Sequence, residues 1–393
     1  MSSQKKEIKV AMLGHKRIPS REGGVEIVVE ELSKRMALKG ISVTCYNRRG
    51  HHVSGKEFDL ASNYKEFNGV KIKKVFTIDK GGLAAMTSSF FASIRIAFSR
   101  YDVVHFHAEG PCAFLWIPKL FRKRCIATIH GLDHKRAKWG KFAGMYIKFG
   151  EKCAVKFADE IIVLSQDVKD YFLDVYGRET VFIENGVSKP EIRNAELITQ
   201  KFGIEKDEYI LFLGRIVPEK GLSYLIDAFK KINTDKKLVI AGGASDTDEF
   251  FAELLDKAKS DDRIIFTGFV EGKLLEELYS NAYIYVLPSD LEGMPLSLLE
   301  ALSFGNCCLT SDIDECAQVL GDYGVTFKKS DTCDLKEKIE YLLKNPQIVS
   351  EFKVNSADYV LDKYNWDNVV EKTLLLYNIS PHKGRKNENF ARK

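Results

Sequence analysis

Short apolar runs recur along most of the chain, each followed by a polar or glycine-bearing loop and then by a stretch with apolar positions at helical spacing. The first run, "IKVAML", is bounded by charge on one side and Gly14 on the other and predicts a buried strand. A helix is predicted over "VEIVVEELSKRMALKG", ending at Gly40. Further strands follow at "SVTCYN", "GVKIKKVF", "YDVVHFH", "RCIATIH" and "ADEIIVLS". Strands alternating with helices predict a parallel, doubly wound α/β sheet, which binds ligands at the carboxyl ends of its strands. Turn residues in "ETVFIENGVSKPE" interrupt the series near residues 187 to 205. A second series runs from "YILFLGRI" through "KLVIAGG", "RIIFTGF", "AYIYVLPS" and "NCCLTSD" to the helices "LKEKIEYLLKN" and "NWDNVVEKTLLLYN". Two such units meet at a cleft, the usual place for a ligand. No fixed-period repeat of about 20 to 50 residues is visible, which argues against a solenoid.

Length agrees with that division, since 393 residues exceed one ordinary core and suit two domains. Hydrophobic residues at 45% and charged residues at 29% place the chain among globular proteins. With 59 Lys and Arg against 55 Asp and Glu, the net charge of +4 is too small for nucleic-acid binding driven by bulk charge. The eight cysteines are scattered, with no C-x-x-C pair and no histidine at zinc spacing. The start of the chain has no signal-peptide core, and no apolar run is long enough to cross a bilayer. These features together predict a reduced, cytoplasmic protein.

Two motifs in the second half carry chemistry. "LGRIVPEKG" places Arg215 and Lys220 in a loop directly after a strand, where a planar guanidinium and a point charge suit a diphosphate. Alone, an R-x4-K is more often a pair of solvated surface cations. "PSDLEGMPLSLLEALSFG" puts Glu292 and Glu300 on either side of a Gly-Met-Pro turn that opens a leucine-rich helix. Pro295 suits the first helical turn, and the amides from Gly293 through Met294 to Leu296 suit an anion or sugar hydroxyls. Glu300 would then lie one to two turns deeper than the loop mouth, against a bland alternative of capping plus a surface acid.

In this order, "GRIVPEKG" and "EGMPLSLLE" resemble the signature of the family-4 retaining glycosyltransferases, from Ile8 to about Asn378. The resemblance implies a GT-B fold, two facing Rossmann-like domains with an interdomain cleft. It implies that Arg215 and Lys220 bind the diphosphate of a nucleotide sugar, that Glu292 contacts the donor sugar and that Glu300 holds the ribose. Gly23 and Gly24 in "PSREGGVEIVVEEL" are similar to the family's glycine-rich loop, and His130 in "TIHGLDHKRAKWGKF" aligns with a family histidine near the reacting sugar. The string from His130 through Asp133 and Arg136 resembles bacterial members that build capsule, exopolysaccharide or O-antigen units, rhamnosyltransferase-like proteins among them. Such sequences often carry an aromatic where this one has His134.

The organisation expected on that basis is an acceptor-binding domain over 1–190, a donor-binding domain over 191–363, a helix over 364–380 crossing back to the first domain, and a basic tail over 381–393. "HFHAEG" offers His105, His107 and Glu109 at a strand end, where an acceptor-side wall is a better reading than a metal. Asp312 and Asp314 form a D-x-D, read as a turn or helix cap, so no divalent metal and no other cofactor is expected. The predicted activity is retaining transfer of a sugar to a glycan or polyprenyl-linked acceptor. Apolar and basic stretches such as "CAFLWIPKLFRKRC" further suggest peripheral contact with an anionic surface at the inner face of the cytoplasmic membrane. Rival readings are a nucleotide-sugar epimerase and a non-catalytic assembly protein. A dehydrogenase is disfavoured because "GHKRIPSREGGVE" lacks the G-x-G-x-x-G spacing.

Overall fold

The computed structural model describes residues 8–50, 64–135, 140–244 and 247–377. The first half builds one sheet from β1 (Lys9–Leu13), β2 (Ser42–Arg48), β3 (Glu66–Phe67), β4 (Val70–Val75), β5 (Val103–His107), β6 (Arg124–Ile129), β7 (Glu160–Val163) and β8 (Val181–Phe182). Their order across the sheet is β3-β4-β2-β1-β5-β6-β7-β8, and every pairing is parallel except the short edge pair β3 and β4. The second half builds another sheet from β9 (Tyr209–Leu213), β10 (Lys237–Ala241), β11 (Ile264–Gly268), β12 (Ile284–Leu287), β13 (Cys308–Ser311) and β14 (Gly324–Phe327). Its order is β11-β10-β9-β12-β13-β14, parallel throughout.

The strand order turns around at two places, between β1 and β5 in the first sheet and between β9 and β12 in the second. At such switch points the connections leave in opposite directions and a crevice opens at the carboxyl ends. The loops after β9 and β12 are the ones that carry Arg215, Lys220 and Glu292. Strand interiors explain why the elements form there: Val10, Ala11 and Met12 are fully buried, as are Ile210, Leu211 and Phe212, because helices cover both faces.

Helices α1 (Gly24–Leu38), α2 (Gly81–Ala97), α3 (Trp116–Leu120) and α4 (Lys141–Phe157) serve the first sheet. The chain continues through α5 (Gln166–Tyr176), α6 (Leu197–Phe202), α7 (Leu222–Phe229), α8 (Asp248–Ala258), α9 (Gly272–Asn281), α10 (Leu296–Ser303), α11 (Asp314–Leu320), α12 (Thr332–Lys344), α13 (Pro346–Lys363) and α14 (Trp366–Leu376).

Although α14 follows the second sheet in sequence, it packs on α1, and Trp366, Val369 and Val370 share one apolar cluster with Val28, Leu32 and Met36. The crossing is fastened by polar contacts at both ends. The Val187 N–H donates to the Tyr364 carbonyl at 2.8 Å, and Arg124 donates through Nε and Nη2 to the Leu376 carbonyl at 2.9 and 2.6 Å. β14, β8 and α13 have short or mixed patterns that give little periodic signal in the sequence.

Candidate functional site

One cleft, lined from both halves of the chain, gathers most of the predicted residues. Its walls include Gly23 and Gly24 at the start of α1, His130 after β6, Arg215 and Lys220 after β9, and Glu292, Gly293, Met294, Pro295, Leu296 and Glu300 at the start of α10. Sequence proximity alone does not explain this grouping: loops at the carboxyl ends of strands in both sheets line the same cleft.

Within the cleft, Lys220 Nζ lies 2.5 Å from Glu292 Oε1, each side chain about one tenth exposed. The ammonium and the carboxylate therefore meet at one point, beside the loop that carries Arg215. Glu300, in the second turn of α10, is held from across the cleft by Arg21 of the glycine loop, and the Tyr279 hydroxyl donates to its other oxygen at 3.3 Å. The Glu300 carboxylate raises the Arg21 pKa further, so this guanidinium stays charged. Pro295 stands one residue ahead of α10, extended at φ −76° and ψ 99°, and its carbonyl accepts from the Leu298 and Leu299 N–H groups at 3.1 and 3.2 Å.

The halves pack backbone against backbone where Gly293 meets the His130–Gly131 segment. A Cβ added at Gly293 would fall 1.8 Å from the His130 carbonyl oxygen, so no other residue type fits without moving backbone. The Asn185 N–H points at Met294 Sδ at 3.0 Å and adds a second tie.

His130 is backed by a row of imidazoles. His107 Nδ1 is 3.1 Å from His130 Nε2, and His105 stacks on His107 with ring centroids 4.3 Å apart. His105 is in turn bonded to the Tyr377 hydroxyl and to Thr128 Oγ1, both at 2.7 Å. Burial lowers His105 to about 3 and holds His107 well below its ordinary value, so both are neutral rings that can pass a hydrogen bond but carry no charge.

His107 does not form the acceptor-side wall expected from sequence: it is fully buried and stands behind His130, 3.1 Å from its ring nitrogen. Asp133 is also placed differently, since its N–H donates to Glu109 Oε2 at 2.8 Å in a 3-10 turn behind the cleft. Arg136 lies outside the described residues. Asp314 opens α11, and Asp312 Oδ1 accepts from the Lys329 N–H at 2.8 Å.

Several cleft residues escaped the sequence reading. Arg21 precedes the glycine pair, and a cation at that place was a usable signal. Phe269, Val270 and Leu275, beyond β11, carry no motif and are found only through the topology. The loops line up in the order β11, β10, β9, β12, so the cleft runs from an apolar end at Phe269 and Val270, past Gly242 and Gly243, to the cations and then to Glu292 and His130. Such a groove suits a ligand with a flat apolar end, an anionic middle and a polyhydroxylated end.

Comparison with known proteins agrees at the level of fold and family. Residues 22–189 match the model described as Glycosyltransferase Family 4, and residues 194–382 match Glycosyl transferases group 1. An uncharacterized glycosyltransferase of Methanocaldococcus jannaschii is 25% identical over 403 residues, covering 95% of this chain and 98% of the relative. The O-antigen chain mannosyltransferase RfbU of Salmonella typhimurium is 26% identical, over 57% of this chain and 61% of the relative. Among solved structures, Anabaena HepE in complex with UDP and glucose superposes with a TM-score of 0.78 at 15% identity, covering 95% of this chain and all of that one. Two facing doubly wound sheets and two family matches set end to end define the class: the chain is a GT-B glycosyltransferase of the family-4 type.

Proposed function

We propose that this chain is a retaining hexosyltransferase that moves a sugar from a nucleotide-diphosphate sugar to a glycan or polyprenyl-linked saccharide in bacterial surface polysaccharide synthesis. The contact between Lys220 and Glu292, in one cleft with Arg215 and His130, carries this reading. A cation for the departing diphosphate and a carboxylate for sugar hydroxyls meet where the bond between them would break.

In this reading the nucleobase rests toward Phe269 and Val270, and Glu300 accepts from the ribose while Arg21 and Tyr279 hold its carboxylate. Arg215 and Lys220 stabilise the negative charge that grows on the diphosphate as the anomeric carbon becomes cationic. Glu292 accepts from the donor sugar, and His130 orients it. The acceptor hydroxyl attacks from the face the leaving group departs, so the bond from the anomeric carbon to the phosphate oxygen breaks as the new glycosidic bond forms. The proton of that hydroxyl passes to the leaving phosphate oxygen, and configuration is retained. With the diphosphate neutralised by side chains, adding Mg2+ leaves the rate within about twofold. Binding of UDP and glucose by HepE and the O-antigen role named for RfbU support the donor and the pathway class.

The acceptor reading rests on a broad apolar face. Phe98, Leu120, Phe142 and Met145 are 76, 71, 85 and 66% exposed on and beside α2, α3 and α4, with Phe121 and Phe149 among them and Arg122, Lys141 and Lys152 exposed at the edges. Aromatic residues fringed by cations suit an anionic bilayer that carries a lipid-linked acceptor. No helix among the described residues is long and apolar enough to cross a membrane.

The test begins with thermal shifts against the uridine, guanosine, adenosine and deoxythymidine diphosphates and their sugars, followed by NMR of the product's anomeric centre. A folded protein that no nucleotide stabilises, or a product of inverted configuration, would overturn the proposal. Flotation with anionic vesicles should carry the wild type and lose the Phe142→Asp, Met145→Asp variant; equal flotation of both would remove the membrane reading.

A further inference from the structure

Behind the His130 segment, three side chains converge that the transfer chemistry does not use. Glu109 follows β5, His134 sits in the 3-10 turn Asp133–Lys135, and Glu151 lies on α4. Both glutamates are fully buried. Glycine at position 150 makes their approach possible, since a Cβ there would fall 2.1 Å from the Glu109 carbonyl oxygen.

Each carboxylate is held by one oxygen only. Glu109 Oε2 accepts from the Asp133 N–H at 2.8 Å. Glu151 Oε1 accepts from the Tyr171 hydroxyl at 3.0 Å, from the Tyr176 hydroxyl, and from Lys148 Nζ at 2.8 Å. The remaining oxygens, Glu109 Oε1 and Glu151 Oε2, are buried with no hydrogen-bond partner among the described residues. Both face the same atom, His134 Nδ1, at 3.7 and 3.3 Å. The three ligand atoms all lie within 4.8 Å of one another.

These separations are long for hydrogen bonds to a carboxylate, which cluster near 2.7 to 2.9 Å. The 3.3 Å separation equals, and the 3.7 Å separation exceeds by a few tenths of an ångström, the edge of a tetrahedron whose ligands stand at metal-bond length, about 3.3 Å for bonds of roughly 2.0 Å. We propose that Glu109, Glu151 and His134 form a binding site for one divalent cation of the zinc class, which fastens the His130–Lys135 segment to α4. One nitrogen and two carboxylate oxygens fit Zn2+ better than Mg2+ or Ca2+, which prefer all-oxygen shells. Lys148 balances the Glu151 carboxylate from one side, and a divalent cation would balance the buried Glu109 carboxylate, which has no lysine or arginine of its own among the described residues. The Tyr171, Tyr176, Lys148 and Asp133 donors complete the arrangement by fixing which oxygen of each glutamate points inward. This site lies apart from the proposed diphosphate groups and takes no part in neutralising them.

The experiment uses the full chain, freed of metal with a chelator and titrated with Zn2+ and with Co2+, whose visible spectrum reports four-coordinate geometry. One equivalent per chain should bind, raise the melting temperature and give the intense bands of tetrahedral Co2+. Glu109→Gln and His134→Gln should each weaken binding by at least about 100-fold, and Tyr171→Phe, which only supports Glu151, by about 10-fold. Should the ligand variants fail to fold, the wild-type titration and Tyr171→Phe still decide. Absence of stoichiometric uptake, an octahedral Co2+ spectrum, or uptake that no substitution weakens would overturn the proposal.

Discussion

Replacing Gly293 with alanine tests whether the two halves must touch where they do. The new Cβ would stand 1.8 Å from the His130 carbonyl oxygen, 2.7 Å from its carbonyl carbon and 3.2 Å from Gly131 Cα. Since real Cβ contacts essentially never fall below 3.0 Å, the segments must separate by at least 1.2 Å, the difference between those two distances. Both partners are backbone, so no side-chain rotation relieves the clash. Overpacking of this kind costs about 1 to 3 kcal/mol when a fold absorbs it. Here the two segments belong to different sheets, and opening the cleft relieves the clash at the lower end of that range. The kinetic cost is larger, because His130 and the Glu292 loop would move apart by over an ångström, and such misplacement costs about 100-fold in rate. The expected result is a kcat/KM for sugar transfer down by about two orders of magnitude, with a melting temperature within a few degrees of wild type. A folded variant with activity within about threefold of wild type would refute the reasoning.

Arg215→Ala and Lys220→Ala should each lower kcat by about 10² to 10³ while leaving the fold intact, checked by steady-state kinetics and circular dichroism. Tyr377→Phe removes the hydroxyl bonded to buried His105 Nδ1 and should cost about 1 to 2 kcal/mol in urea denaturation, although the residue does not line the cleft. Acid should unfold the protein through its buried imidazoles. Burial lowers His105 to about 3 and, against a bond to Asn47 Oδ1, His15 to about 4, both below the unfolded value near 6.5. The unfolded chain thus binds more protons, so this stability is complete above about pH 6.5 and falls as pH drops toward the folded values. The loss approaches about 1.4 kcal/mol per pH unit for each histidine. Denaturation midpoints from pH 7 to 4 should show that slope, and His105→Gln should flatten it.

The local pattern of the chain determined much of this protein. Alternating apolar runs and amphipathic stretches specify parallel strands and covering helices, because the side-chain periods of strand and helix are properties of neighbouring residues. The motifs around Arg215, Lys220, Glu292 and Glu300 were legible for the same reason, each being one loop with its chemistry within a few positions. Tertiary structure alone decided what those loops face. Arg21 reaches Glu300 across 279 positions, and no periodicity relates residues so far apart. His107 alternates in the sequence as a strand-end residue like any other, and only the packing of β5 between β1 and β6 buries it behind His130. The same holds for Glu109 and Glu151, two ordinary acids until a glycine lets α4 press against the end of β5 and removes both from water. Burial and charge pairing depend on which surfaces meet, and that information is carried by the docking of sheets and helices, not by any single segment.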